Sequence, residues 1–123
     1  MDGDLDLFMT HLRRETNTFY LNRKGRFKDS SSMTGMAAAS LKMTGFGMGF
    51  HDFDQDGLLD LYVVNGAVQA WGDDEAFDGN DPYAEPNNLF RGRGGPRFAE
   101  VPNGGTAESL IGTSRGAAFG DLD

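Results

Sequence analysis

Four aspartates fall within nine residues in Asp52-Phe53-Asp54-Gln55-Asp56-Gly57-Leu58-Leu59-Asp60. Carboxylates alternating with other residues converge on one point when the backbone coils, and a glycine after the third acid permits the sharp turn. Such an oxygen-rich loop suits Ca2+, a hard cation that takes about 6–8 oxygen ligands. Asp52, Asp54 and Asp56 supply the first carboxylates, Leu58 its carbonyl and Asp60 a last carboxylate. Without a cation, acids this close disfavour each other's ionisation. A helix–loop–helix calcium site also needs an acid at the twelfth loop position, which here is Val63, and its flanks should be helical, not strand-like. Cysteine-dependent calcium repeats are excluded because the chain has no cysteine.

The same residues occur a second time, divided between the two ends of the chain. Gly47-Met48-Gly49-Phe50-His51-Asp52-Phe53-Asp54 recurs as Gly116-Ala117-Ala118-Phe119-Gly120-Asp121-Leu122-Asp123. Asp56-Gly57-Leu58-Leu59-Asp60-Leu61-Tyr62 recurs as Asp2-Gly3-Asp4-Leu5-Asp6-Leu7-Phe8. Read tail to head, Asp121, Asp123, Asp2, the Asp4 carbonyl and Asp6 rebuild the aspartate loop, with Met9 at its twelfth position. A plain solvated Asp/Gly turn is the alternative, and two copies with matching flanks argue against it. The expectation is a second calcium cradle, completed between neighbouring copies of the chain.

The flanks of these loops read as strands. Leu5–Leu12 and Leu58–Asn65 are rich in residues that suit a pleated, half-buried surface. Met43–Phe50 and Thr113–Phe119 are short and glycine-rich. Phe19–Asn22 leads through Lys24-Gly25 to Arg26–Asp29, and Leu89–Gly92 through Gly94-Gly95-Pro96 to Arg97–Val101, as hairpins. Four short antiparallel strands per repeat are the size of a propeller blade. The expected fold is therefore all-β, a single module over 1–123 with two four-stranded blades per chain. Two blades leave apolar faces and strand edges open. Head-to-tail association of copies into a closed ring covers them, with six blades in a trimer the first expectation and eight in a tetramer the second. The second repeat also carries a long inserted loop at 67–86, containing Trp71 and the acids Asp73, Asp74, Glu75, Asp78 and Asp81. Such loops often carry function.

Composition narrows the function. The 19 acids outnumber 11 Lys+Arg, giving a net charge of −8. That balance argues against nucleic acid as a partner, because phosphate backbones demand clustered cations. No apolar run reaches the roughly 18 residues of a membrane span, and no leader has the basic-then-apolar layout of a signal peptide. The absence of cysteine removes thiol catalysis and disulfide scaffolds. His11 and His51 have no serine at catalytic spacing. Arg13, Arg14, Arg91, Arg93 and Arg97 read as solvated turn residues, and the recurring Phe8, Phe19, Phe27, Phe50, Phe90, Phe98 and Phe119 read as core.

The aspartate loop with its flanks resembles FG-GAP (VCBS-type) repeats, the blades of integrin-α-like β-propellers. Val64-Asn65-Gly66, Tyr83-Ala84-Glu85-Pro86 and Asn88-Leu89-Phe90-Arg91 with Phe98 are similar to the ASPIC/UnbV group, which includes cartilage acidic protein. The resemblance implies a calcium-stabilised structural or binding propeller, extracellular or periplasmic, without catalysis. The split loop makes copies of the chain its expected partners, with an unidentified protein or glycan as a further ligand. An adhesion module that binds through the 67–86 loop, or a piece of a propeller hydrolase or lyase, are the other readings.

Overall fold

The computed structural model describes residues 3–120. Its order is β1 (Leu7–Met9), β2 (Thr18–Arg23), β3 (Arg26–Asp29), α1 (Ser31–Thr34), α2 (Ala37–Ser40), β4 (Gly45–His51), β5 (Asp60–Asn65), β6 (Glu85–Pro86), β7 (Asn88–Gly92), β8 (Phe98–Val101) and β9 (Ile111–Gly112). Among the described residues, β1-β2-β3 form one antiparallel sheet, β4-β5-β7-β8 a second, and β6-β9 a short pair. The fold is mostly β, as the strand patterns require, and the hairpin strands fall where the repeats place them. The two one-turn helices between β3 and β4 depart from the all-β expectation.

One expected strand does not form within a single chain. The first sheet has three strands among the described residues, not four. Thr113–Phe119, its fourth strand by repeat equivalence, carries no strand and does not pair with β1. It runs instead over the second sheet, held by a Ser114 amide donating to the Asn65 carbonyl at 3.1 Å. Arg115 donates to the carbonyls of Gly66 (3.1 Å) and Ala67 (2.8 Å). The physical reason is chain order: the equivalent segment, β4, pairs with the strand that follows it, β5, and no strand follows Thr113–Phe119 within the described residues.

The core lies between the two main sheets. Phe19 from the first joins Leu61, Val63, Phe90 and Phe98 from the second, with Met36 from the helical connection closing one side. Side chains alternate across a strand, so Leu61 and Val63 point into this core while Tyr62 points to the opposite face. Rings meet edge-on, the geometry that aromatic quadrupoles favour: Phe8 on Phe50 at 6.2 Å and Phe19 on Phe98 at 6.3 Å. Each fully buried side chain of this size contributes about 1.5–3 kcal/mol.

Candidate metal centre

The aspartate loop joins β4 to β5, two neighbouring antiparallel strands, so its ends are pinned side by side. Asp60 opens β5 opposite His51, the last residue of β4. The chain between them coils through two left-handed residues, Gln55 (φ +58°) and Gly57 (φ +85°). Glycine takes that conformation without a Cβ penalty, which explains its place after the third acid.

This coil brings carboxylate oxygens of Asp52, Asp54 and Asp60 within 4.8 Å of one another. The backbone fixes two of them. Asp52 accepts from the amides of Asp56 (3.0 Å) and Gly57 (2.9 Å) through its separate oxygens. Asp60, buried, accepts from Phe53 (3.0 Å) and Gly92 (2.8 Å) in the same way. An ionised carboxylate offers about four acceptor sites, so each retains capacity for a further partner. Asp56 stands outside the trio. Its carboxylate accepts the Leu58 amide at 2.9 Å and the Arg91 guanidinium at 3.1 Å. The Leu58 amide, then Arg91, hold Asp56 below the usual carboxylate range.

Arg91, expected in a solvated turn, stands on β7 beside the aspartate loop. It reaches from β7 to pair with Asp54 at 2.6 Å as well as with Asp56. The hydrogen bond to Asp56 and the nearby acids raise its already high pKa. One arginine against four acids leaves the loop strongly negative. The donor set, all hard oxygen with spare acceptor capacity, fits a divalent cation such as Ca2+. Asp52, Asp54 and Asp60 would hold it, and the cation would supply charge neutralisation and loop closure.

The N-terminal copy of the motif keeps part of this geometry. Gly3 has φ +92°, as its equivalent Gly57 has +85°. Asp6 accepts the Asn22 amide at 2.8 Å, the counterpart of the bond from Gly92 to Asp60. Asp4 accepts the Lys24 amide at 2.8 Å. Asp2, Asp121 and Asp123 lie outside the described residues.

A match to the family model for the FG-GAP-like repeat spans residues 1–63. The chain belongs to the FG-GAP-like repeat family. The matched stretch runs from the N-terminal half-motif to the middle of β5 and so contains the whole aspartate loop. No match was found among curated proteins or solved structures. For an FG-GAP-like repeat protein a β-propeller-type binding module is the indicated class. No helix among the described residues is long and apolar enough to cross a membrane.

The histidines take structural positions. His51 stacks on Phe119 at 4.7 Å, and His11 shares a hydrogen bond with the Thr18 hydroxyl at 3.0 Å. The loop at 67–86 is folded onto the first repeat. Arg13 lies 4.2 Å from the Trp71 ring centroid, and Arg14 pairs with Glu75 at 3.3 Å. At the end of this loop Glu85 is fully buried, one oxygen accepting the Thr44 amide at 2.6 Å. Burial pushes its carboxyl up, against the pull of that amide, Arg13 and Arg115.

Proposed function

We propose that this FG-GAP-like chain is a calcium-stabilised, non-catalytic propeller module of the VCBS type, close to the ASPIC/UnbV group, that works outside the cytoplasm as a structural or binding element. The observation that carries the calcium reading is the convergence of Asp52, Asp54 and Asp60, each with backbone donors or Arg91 fixing its orientation. Ca2+ relieves their mutual repulsion and ties the β4–β5 connection to β7 through Asp60. Head-to-tail association of copies into a closed ring, three copies first and four second, accounts for the apolar face that the first sheet turns away from the core. A ligand that binds native protein in excess raises stability by RT ln(1 + [L]/Kd). Titrating Ca2+ into the chelated protein should therefore raise the thermal midpoint, and Asp52→Asn with Asp54→Asn should abolish the rise. Light scattering in Ca2+ should report three or four times the mass of one chain. An unchanged midpoint sinks the calcium reading, and a clean monomer sinks the ring.

A second reading, an adhesion surface on the 67–86 loop, draws support from Arg13 and Trp71. Each has a buried side-chain nitrogen without a hydrogen-bond partner among the described residues, and the Arg13 guanidinium stacks on the Trp71 ring. Replacing Trp71 with Ala should then abolish binding of a protein or glycan ligand while leaving assembly intact.

A further inference from the structure

The chain holds an incomplete acceptor and an unused donor that match by its own internal repeat. The acceptor is β1. Its counterpart β5 is flanked on both edges, by β4 and by β7, whereas β1 pairs with β2 alone among the described residues. The donor is the segment 113–120, the sequence counterpart of β4, which carries no strand here.

That donor already sits where an inner strand of a following sheet would sit. Phe50 of β4 packs edge-on against Phe8 of the first sheet at 6.2 Å and 86°. Phe119, the counterpart of Phe50, packs edge-on against Tyr62, the counterpart of Phe8, at 6.4 Å and 80°. Glycines admit this approach: a Cβ on Gly49 would lie 2.4 Å from the Phe119 ring, and one on Gly47 2.4 Å from the Ala117 nitrogen. Donor and acceptor cannot meet in one copy. Phe119 lies on the Tyr62 face of the second sheet, while the first sheet lies on the Leu61 and Val63 face.

We infer that residues 113–120 of a second copy form the fourth strand of the first sheet, laid antiparallel on the free edge of β1. This rests on the assembly reading above and adds its register. In the second sheet Met48 faces Val63, Gly49 faces Tyr62, Phe50 faces Leu61 and His51 faces Asp60. Transferred through the repeat, Ala117 of the donor faces Met9, Ala118 faces Phe8, Phe119 faces Leu7 and Gly120 faces Asp6. The donor's own sheet then covers the exposed Leu7, Met9 and Phe27 of the acceptor, as the first sheet covers Leu61, Val63 and Phe98 within one chain.

Because the chain has no cysteine, two single-cysteine variants report the register directly. Met9→Cys and Ala117→Cys are refolded together in Ca2+ and oxidised. A disulfide-linked dimer is expected, at least tenfold more abundant than from Met9→Cys mixed with Ala118→Cys, since neighbouring residues in a strand point to opposite faces. In the unaltered chain, hydrogen exchange at the β1 amides that point away from β2 should slow at least tenfold as protein concentration rises, which decides the matter if a variant fails to fold. Equal or absent cross-linking in folded variants that light scattering reports as assembled overturns the register and leaves the assembly standing. So does edge exchange that stays fast in the assembled chain. A monomer at every concentration, with edge exchange equally fast throughout, overturns both.

Discussion

The two main sheets are built from equivalent residues and have opposite fates. Leu61 and Val63 are 0% exposed, whereas their counterparts Leu7 and Met9 are 46% and 42% exposed. Phe98 is 8% exposed and its counterpart Phe27 56%. Local sequence is not the cause, since both members of each pair are apolar and occupy the same register position. The cause is that the second sheet has a neighbour on that face and the first, among the described residues, does not. Burial in a stacked repeat is a property of the interface, not of the repeat.

The sharpest test of this comparison is paired truncation. Phe98→Ala should cost about 3–5 kcal/mol in urea unfolding, as expected for an aromatic lost from a packed core. Phe27→Ala should cost less than about 1 kcal/mol in dilute protein, while lowering the mass seen by light scattering. Equal losses in dilute protein would erase the distinction between the sheets.

The acids come next. Asp60→Ala leaves the buried Gly92 amide and the Phe53 amide without their acceptor, for a loss of about 1–3 kcal/mol. Asp6→Ala removes only the part-buried bond from Asn22, so its effect in the same urea titration should be smaller, about 1 kcal/mol or less. A larger loss at Asp6 would mean that the N-terminal turn is better organised than the second sheet's loop.

Gly47 and Gly116 offer a third pair. A Cβ at Gly47 meets the Ala117 backbone, while one at Gly116 meets nothing within 4 Å. Gly47→Ala should cost about 1–3 kcal/mol by overpacking and speed proteolysis after Arg115. Gly116→Ala should change neither in dilute protein.

The smallest effect belongs to Glu85, which ends the inserted loop and so has no counterpart in the first repeat. Burial raises its carboxyl pKa in the folded chain. The folded state therefore binds the proton more tightly than the unfolded one, and Glu85 lowers stability as pH rises from the unfolded value through the folded value. Glu85→Gln keeps an acceptor for the Thr44 amide and removes that penalty. Thermal melts should show the variant gaining on the parent from pH 4 to pH 7, with little difference at the acid end. A gain confined to acid pH would reverse the sign.

Much of this molecule follows from the order of its residues. The apolar run of 61–64, the Lys24-Gly25 and Gly94-Gly95 turns and the 52–60 aspartate spacing depend on local stereochemistry, and each forms where its pattern stands. The repeat also specified which residues are equivalent, down to the bonds that Asp6 and Asp60 accept. Tertiary structure decided what local pattern cannot encode. Arg91 comes to Asp54 and Asp56 only because β7 pairs with β5, and Asp56 is held by that guanidinium and the Leu58 amide. The helical turns at 31–40 contain no long apolar period to announce them, and Met36 joins the core through position alone. Most of all, Thr113–Phe119 lies over the second sheet without forming a strand, since a strand needs an open edge beside it and local pattern does not supply one.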